Sequence, residues 1–403
     1  MQNITLADIY TARECLKGVI HHTDLVPNTT LSEMTGSDVY LKLENLQKTG
    51  SFKIRGAFNK ICNLSSAEKQ AGVIASSAGN HAQGVALAAS TYGIRSTIVM
   101  PTCAPLAKIT ATKSYGANVV LHGNVYDDAY AKAMEIQKET GATFIHPFDD
   151  PYVIAGQGTI ALEILDELPA VDAILIPIGG GGIVAGIAIA AKAIKPSVKI
   201  IGVEPANAAS MRESSQAGKI ITLSSANTIA DGIAVKTPGT LTYDIVKEYV
   251  DEFVTVEEDE IANAILILME RCKLIAEGAG AASVAALLNS KVNLPGKKIA
   301  AVISGGNIDV NMLSRIVDKG LAKAGRKTEL TTIIPDKPGQ LQGLLKSIGD
   351  LSANVVEVHH NRIRSEVELG SARVDLVLET QDSEHLASII QELIKKGYCV
   401  QRI

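Results

Sequence analysis

The sequence has few cysteines, and no two of them are close together. Cys15, Cys62, Cys103, Cys272 and Cys399 are scattered along 403 residues, are odd in number and include no CxxC pair. This spacing argues against a zinc site and against a disulfide-rich secreted fold, which depend on clustered or paired cysteines. We therefore expect reduced thiols in a cytosolic protein.

Long apolar runs and blocks of like charge are also absent. No run reaches the ~18–20 apolar residues of a membrane span, and residues 1–20 lack the apolar core of a signal peptide. The net charge of −5 is not concentrated in any block, so neither nucleic acid nor an anionic membrane is expected as the main partner. These absences predict a cytoplasmic protein.

The sequence does contain a repeated alternation of short apolar strands and alanine-rich helices. β-Branched runs such as GVIAS (72–76), AILIPIG (173–179) and KKIAAVISGG (297–306) alternate with helix-like segments between about residues 73 and 304. Unbroken apolar strands in this arrangement are typical of doubly wound α/β folds, whose parallel sheets are covered on both faces. A chain of 403 residues exceeds the ~250–300 residues at which single cores stop growing, so we expect more than one domain.

The pattern changes after about residue 320. Over 329–403 the predicted order is strand, helix, strand, strand, helix, strand, which is the ferredoxin-like βαββαβ plan. We therefore predict an α/β domain at 1–320 with a smaller subdomain near 50–155, a linker at 321–328 and a small domain at 329–403.

Three glycine-rich loops each follow a predicted strand, where open parallel sheets place their ligands. At Gly179–Gly182, successive backbone N–H groups and the start of a helix can hold an anion such as phosphate. The loops SSAGNHAQG (76–84) and SGGN (304–307) let a planar ligand approach the backbone. Asn80 and Ser304 offer hydrogen bonds to its edge, although Asn80 can equally be a helix N-cap and Ser304 a turn residue.

The glycine run also fits a dinucleotide-binding motif. Gly180, Gly182 and Ala185 satisfy G-x-G-x-x-A, and the next strand ends in Glu204, about 20 residues on, where a ribose-binding acid would lie. The run by itself leaves open NAD binding, binding of another phosphate, and a tight turn without a ligand.

The three loops point to a chemical role for Lys53. It lies behind Phe52 in TGSFKIRGA (49–57), where a lysine is most often a surface helix cation. A desolvated lysine, however, is a neutral amine that forms a Schiff base with an aldehyde. An aldehyde with a phosphate, an aromatic ring and a hydroxyl is pyridoxal phosphate, and the three loops offer partners for its phosphate, its ring hydroxyl and its ring nitrogen.

In this order, TGSFKIRGA, SSAGNHAQG, GGGGI and SGGN resemble the fold-type II pyridoxal-phosphate enzymes, and most closely the threonine dehydratases, from residue 1 to about 320. The resemblance implies that Lys53 bonds to the cofactor and serves as catalytic base. The cofactor-binding residues that it implies are Phe52, Lys53, Asn80, Gly179, Gly180, Gly181, Gly182, Ile183 and Ser304. The residues that it implies for the substrate are Ser76, Ser77, Ala78, Gly79 and His81, of which His81 can equally be a packed or capping histidine.

The activity that the resemblance implies is deamination of L-threonine to 2-oxobutanoate and ammonia, with L-serine to pyruvate as a second activity. Serine or hydroxyaspartate dehydratases are alternatives, because a pocket distinguishes one methyl group by only ~1–3 kcal/mol. An NAD-dependent dehydrogenase and a non-catalytic amino-acid sensor are alternatives of other classes. Related serine racemases carry a serine as second base where this sequence has Ala78, so racemisation is not expected.

Some relatives also hold a divalent cation through a glutamate, a backbone carbonyl and an aspartate. Glu204 and Ala208 match the first two positions, but Ser210 replaces the aspartate. Because the loss of a carboxylate weakens a site for a hard cation, we assign no metal to this site. The alternatives for Glu204 are a structural role and a monovalent ion.

The C-terminal segment IPDKPGQLQGLLKSI…SANVVEVHHNR resembles an ACT domain. The resemblance implies pairing of two copies, hence a homo-oligomer, and an amino-acid effector bound near Gly339 and Asn354. Isoleucine is the implied effector if the enzyme serves isoleucine biosynthesis, and a dimerisation domain without a ligand is the alternative. Allosteric control would require the effector to prefer one conformational state.

Overall fold

The structure, a computed structural model, describes residues 4–362 and 368–403. The chain divides into two compact units, Met1–Asp309 and Val310–Ile403. Over these described ranges, the first unit contains two sheets and the second contains one. None of the helices in the described ranges combines the length and the apolar composition needed to cross a bilayer.

The first unit alternates strands and helices along most of its length. Its strands are β1 (Leu25–Pro27), β2 (Asp38–Lys42), β3 (Val73–Ser76), β4 (Ser96–Met100), β5 (Asn118–Leu121), β6 (Thr143–Phe144), β7 (Ala173–Pro177), β8 (Lys199–Pro205), β9 (Glu252–Val256) and β10 (Lys298–Val302). Its helices are α1 (Leu6–Leu16), α2 (Thr29–Thr35), α3 (Lys53–Cys62), α4 (Ser66–Ala71), α5 (Asn80–Thr91), α6 (Leu106–Ser114), α7 (Tyr126–Thr140), α8 (Pro151–Glu167), α9 (Gly182–Ile194), α10 (Ser210–Ala217), α11 (Thr240–Tyr249), α12 (Glu258–Glu270) and α13 (Gly278–Leu288). Short 3-10 helices lie at Glu44–Leu46, Ala206–Ala208 and Asp231–Ile233.

The larger sheet has the strand order β1-β2-β10-β7-β8-β9. All neighbouring strands are parallel except β1, which pairs antiparallel with β2 at the edge. Every residue of β7 is buried, as the unbroken apolar run AILIP predicts for a strand covered on both faces. The predicted α/β architecture is thus confirmed, with one antiparallel edge strand that the sequence pattern did not indicate.

The smaller sheet has the order β5-β4-β3-β6, and all of its strands are parallel. These strands and the helices between them lie within the 50–155 segment. Each predicted loop follows a strand of one of the two sheets. The strands β3, β7 and β10 end at Ser76, Pro177 and Val302. The chain therefore carries all three loops at the carboxyl ends of parallel strands.

The second unit is built on an antiparallel sheet with the order β12-β13-β11-β14. Its elements are α14 (Val310–Lys323), β11 (Lys327–Pro335), α15 (Gln340–Asp350), β12 (Asn354–Asn361), β13 (Ser371–Glu379), α16 (Ser383–Lys395) and β14 (Cys399–Arg402). After α14 the order is βαββαβ, with Leu330, Leu344 and Leu376 in the core. The segment expected as a linker, 321–328, instead contains the end of α14 and the start of β11.

Two of the cysteines are paired in the structure. Cys15 in α1 and Cys62 at the end of α3 form a disulfide, whereas Cys103, Cys272 and Cys399 are free. The expectation of five reduced thiols is therefore wrong for the first pair. Packing of α1 against α3 brings the two residues together, and their separation of 47 residues carries no motif that could have revealed it.

Candidate active site

Lys53 lies at the start of α3, and the protein holds its amine in a defined position. The Nζ donates a hydrogen bond to the backbone carbonyl of Pro147 at 2.9 Å and lies 5.2 Å from the centre of the Phe52 ring. Desolvation by burial lowers the pKa of Lys53 to about 8, although the carboxylate of Glu277 opposes the shift. This amine is much easier to deprotonate than a surface lysine, which favours a nucleophile over a surface cation.

Backbone contacts tie the segment before Lys53 to the SGGN loop. Phe52 N donates to Ser304 O at 3.1 Å, and Ser51 and Gly305 form an isolated antiparallel bridge. Two motifs that lie far apart in the sequence of the first unit are therefore adjacent in the structure. Phe52 itself is buried.

Asn80 is the first residue of α5, and hydrogen bonds fix its side-chain amide on both sides. Its Nδ2 donates to Glu277 Oε1 at 2.6 Å, and its Oδ1 accepts from Asn307 Nδ2 at 2.8 Å. The N-cap of α5 is Gly79, so the interpretation of Asn80 as a helix cap is wrong. One N–H of the Asn80 amide remains available to donate to a ligand oxygen.

Glu277 is a residue of this site that sequence analysis missed. It directly precedes α13 and is 3% exposed, and desolvation by burial is the main reason that its pKa is raised to about 7. A Cβ on Gly305 would lie 2.3 Å from Glu277 Oε1, so the carboxyl group also explains a glycine of the SGGN loop. The sequence signal that could have revealed it is an acidic residue within the small apolar run AEGAGAA (276–282).

The four-glycine run connects β7 to α9 as predicted. α9 begins at Gly182, and its N-cap Gly181 has φ +96°, in the left-handed region that favours glycine. The N-cap provides no side-chain hydrogen bond to the helix. A glycine-rich helix N-terminus of this kind can bind phosphate through its backbone N–H groups.

These glycines also have a packing role that sequence analysis did not anticipate. A Cβ on Gly180 would lie 2.3 Å from the ring of Phe148, and one on Gly182 would lie 2.9 Å from the Phe148 backbone. A Cβ on Gly179 would lie 2.9 Å from the Cα of Ile233. Larger side chains in the run would displace the segments that enclose it.

The loop predicted for the substrate follows β3. Ser77, Ala78 and Gly79 connect β3 to α5, and Gly79 N donates to Ser77 Oγ at 3.2 Å. His81 is buried, and its Nε2 donates to Ile145 O at 2.8 Å. Burial lowers the pKa of His81 to about 3, so the ring is neutral and its Nδ1 is an acceptor. This tautomer excludes donation from His81 to a carboxylate and favours the packed-histidine alternative.

Several buried polar atoms on the segments around Lys53 have no hydrogen-bond partner among the described residues. They are Ser51 Oγ, Ser76 Oγ and His81 Nδ1. Because buried polar groups in proteins are normally paired, these atoms point to a polar ligand. Together with the α9 N-terminus and the Lys53 amine, they fit a ligand with an aldehyde, a phosphate and a polar ring edge.

Glu204, the acid of the competing dinucleotide motif, is 1% exposed. Its two oxygens accept from Met211 N at 2.9 Å and Arg212 N at 2.8 Å, in the first turn of α10. Burial raises the pKa of Glu204 to about 8. The carboxyl group therefore stabilises a helix and does not face a ribose. Ala208 and Ser210, at the other two positions of the cation site, are also buried.

The two residues named for an effector lie at opposite ends of α15 in the second unit. Gly339 is the N-cap of α15 with φ +87°, and a Cβ there would meet no atom within 4 Å. Asn354 begins β12 and donates from Nδ2 to Glu379 Oε2 at 2.9 Å. Asn354 is thus already paired within the sheet.

Comparison with known proteins identifies the family. The model of the family described as "Pyridoxal-phosphate dependent enzyme" matches residues 16–305. The chain belongs to this family. Its cofactor is pyridoxal phosphate. Lys53, the first two glycine-rich loops and the first two residues of the SGGN loop lie within the matched residues.

Relatives within the family include proteins similar over the whole chain. The L-threonine ammonia-lyase of Thermotoga maritima is 56% identical over 99% of this chain and 99% of its own. The L-threonine ammonia-lyase of Geobacter sulfurreducens is 48% identical over 97% and 98%. Among solved structures, maize serine racemase has a TM-score of 0.75 and 38% identity over 79% of this chain and 98% of its own. The processed form of threonine deaminase isoform 2 from Solanum lycopersicum has a TM-score of 0.74 and 41% identity over 78% and 91%.

Proposed function

We propose that this enzyme is an L-threonine ammonia-lyase, which converts L-threonine to 2-oxobutanoate and ammonia. The water lost from the β-carbon is taken up again when the released enamine is hydrolysed. The observation that carries the proposal is the Lys53 amine, which has a pKa of about 8 and is bonded to the Pro147 carbonyl. A readily deprotonated amine of this kind suits a family whose cofactor is an aldehyde. The 56% identity to the Thermotoga maritima L-threonine ammonia-lyase supports threonine as the substrate.

The residues of the site fit pyridoxal phosphate as follows. The N–H groups of Gly179–Ile183 at the start of α9 would bind the phosphate, Asn80 would donate to the ring hydroxyl oxygen, and Ser304 would bond to the ring nitrogen. Phe52 would pack beside the ring. When bound, the cofactor supplies an aldehyde for Lys53 and a conjugated ring that withdraws electrons from the substrate α-carbon.

Lys53 carries the proton transfer. The Nζ would accept the substrate α-proton as general base, since a pKa of about 8 leaves a useful neutral fraction of the amine near neutral pH. The Pro147 carbonyl gives the amine a fixed resting position. The protonated amine can then donate to the departing β-hydroxyl group.

The substrate carboxylate would bind to the loop Ser76–Gly79 through backbone N–H groups and hydroxyls. Ser76 Oγ is buried and without a partner among the described residues, so it is free to donate. The methyl of Ala78 cannot move a proton, so the second face of the substrate has no base there. L-Serine would therefore be deaminated to pyruvate without appreciable D-serine.

Keto-acid release by the purified holoenzyme tests the proposal. We expect L-threonine to have the highest kcat/KM among L-threonine, L-serine and 3-hydroxyaspartate, with the single methyl worth about 10–200-fold at most. Borohydride reduction followed by peptide mass spectrometry should find the cofactor on Lys53, and Lys53→Ala should release no keto acid. Release from none of the three substrates would overturn the proposal. NAD reduction instead would favour the dehydrogenase.

We further propose that the second unit is an ACT-type regulatory domain of a cytoplasmic homo-oligomer. The βαββαβ order and the open space at Gly339 support this proposal. Isoleucine is the first effector to test, because 2-oxobutanoate feeds isoleucine synthesis. Activity curves that superimpose with and without isoleucine, valine or serine would overturn the regulatory role, and dimerisation would then be the remaining function of the unit.

A further inference from the structure

The residues His146–Asp150 connect β6 to α8, and this segment, called the 146–150 turn below, contacts several parts of the site. None of its residues belongs to the motifs that predict the site. It nevertheless provides the carbonyl that holds Lys53 and the ring that covers the glycine run.

The first two contacts come from the middle of the turn. The Pro147 carbonyl accepts from Lys53 Nζ at 2.9 Å. Phe148 lies against Gly180 and Gly182 so closely that a Cβ on either glycine would overlap it. The backbone path of Pro147 and Phe148 therefore fixes the position of the Lys53 amine and also limits the space at the glycine run.

The end of the turn is anchored to two helices. The Asp149 carboxylate accepts from Thr240 N and Thr242 N, each at 3.0 Å, in the first turn of α11. The Asp150 carboxylate caps α8 and forms an ion pair with Lys60 Nζ at 2.7 Å. Since Lys60 lies on α3, the helix that begins at Lys53, the turn is connected to that helix twice.

His146 organises the start of the turn. Its Nδ1 accepts from Asp149 N at 2.7 Å and from Phe148 N at 3.3 Å, so this nitrogen carries no proton. Its ring packs at right angles to Phe148, 4.7 Å between ring centres. Burial lowers the pKa of His146, Lys53 lowers it further, and Asp149 and Asp150 oppose the shift. The ring is thus kept neutral, as the two accepted hydrogen bonds require.

We propose that His146 is a positioning residue for the Lys53 amine. By accepting the two N–H groups, its Nδ1 fixes the turn in which the Pro147 carbonyl faces Lys53. The same hydrogen bonds keep Phe148 on the glycine run. The expected effect on catalysis rests on the proposed function, whereas the effect on the amine itself does not.

A matched pair of variants separates the acceptor from the ring. His146→Asn keeps an oxygen near the position of Nδ1, because asparagine side chains accept the N–H groups that follow them in Asx turns. His146→Phe keeps an aromatic ring in the same packing but has no acceptor. Both variants are full-length chains, and their thermal midpoints are measured beside that of the wild type.

The first measurement needs no catalysis. In the full chain stripped of cofactor, Lys53 is labelled with an amine-reactive reagent across a pH series and quantified by peptide mass spectrometry. We expect the His146→Asn midpoint to match that of the wild type. We expect the His146→Phe midpoint to move to higher pH, because an amine that loses its fixed position gains access to water.

The second measurement uses the holoenzyme. We expect His146→Phe to lose up to about 100-fold in kcat for L-threonine with a smaller change in KM, since displacement of a reacting group by ~1 Å costs this much. His146→Asn should retain most of the wild-type kcat. Absorbance titration with pyridoxal phosphate should show weaker binding for His146→Phe than for His146→Asn.

Indistinguishable Asn and Phe variants would overturn the inference. A lower thermal midpoint of His146→Phe with an unchanged Lys53 labelling curve would overturn it as well, because His146 would then be only structural. If the wild type releases no keto acid, the proposed function fails, and the labelling comparison still decides the role of His146.

Discussion

At the scale of single residues, the candidate site contains two buried ionisable groups that influence each other's pKa. Lys53 and Glu277 are both removed from water, which lowers the pKa of the lysine to about 8 and raises that of the glutamate to about 7. Burial disfavours charge on both groups, and their mutual attraction partly restores it. The protonation of each therefore depends on the other near neutral pH.

This coupling predicts the behaviour of Glu277→Gln. The Glu277 carboxylate raises the pKa of Lys53, so its removal should lower that pKa further and move the Lys53 labelling curve of the cofactor-free chain to lower pH. At pH 8 the labelling rate can rise at most about twofold, since about half of the amine is already neutral there. Glutamine keeps an acceptor for Asn80, and Asn80→Ala serves as the control that removes the hydrogen bond while keeping the carboxylate. A curve that moves to higher pH would contradict the coupling.

The sequence could reveal only some of these side chains. Lys53, Asn80 and Ser304 each lie in a short local motif, so their types and neighbours were enough to single them out. Glu277 bonds to Asn80 across 197 residues. His146 bonds to its near neighbours Phe148 and Asp149, but the turn that it organises meets Lys53 across 94 residues. The acidic residue in a small apolar run is a local signal for Glu277, but no local pattern encodes either of these long-range contacts.

At the scale of elements, α3 is held in place by a buried ionic cluster directly behind Lys53. Arg55 is fully buried and donates to Glu44 at 2.7 and 2.8 Å and to Glu163 at 2.6 and 2.8 Å. Lys42 on β2 also pairs with Glu163, at 2.6 Å. The cluster thus joins α3 to the edge region of the larger sheet and to α8.

We expect Arg55→Met to destabilise the protein by about 3–5 kcal/mol, because it removes the cation that pairs with the buried Glu44 and leaves Glu163 with Lys42 alone. Urea unfolding followed by circular dichroism measures the change. The control is Arg13→Met, which breaks a solvent-exposed pair with Asp166 and should change stability by less than about 1 kcal/mol. Equal effects of the two substitutions would show that the cluster does not anchor α3.

Sequence patterns predicted the helices and strands better than they predicted which elements pair or pack together. The apolar runs that became β3, β7 and β10 are local signals of burial, and they gave the parallel architecture correctly. β1 was not predicted because a strand of three residues is too short to show an alternating apolar pattern. Its antiparallel pairing also depends on β2. The Cys15–Cys62 pair was missed for the same reason, since it depends on the packing of two helices.

At the scale of the whole molecule, the chain consists of two units with different architectures. The first carries every residue proposed for catalysis, and the second has its own core around Leu330, Leu344 and Leu376. Because each unit is compact by itself, we expect the first unit to fold without the second.

A chain that ends at Asp309 should retain pyridoxal phosphate binding and keto-acid release within about threefold of the full chain, because a compact domain with its own core can fold alone. Any response to isoleucine should disappear. Kinetics of both proteins with and without isoleucine measure this. A truncated chain that still responds would locate the effector in the first unit.

The antiparallel bridge between Ser51 and Gly305 also bears on the order in which the protein is made. Lys53 leaves the ribosome early, but the SGGN loop that lies beside it is among the last parts of the first unit to be synthesised. Likewise, β2 can pair with β10, its neighbour in the larger sheet, only after β10 has been synthesised. Contacts between segments so distant in the chain form slowly and late. The nascent lysine therefore stays outside its finished pocket until almost the entire first unit has emerged, and cofactor attachment is expected to follow that moment.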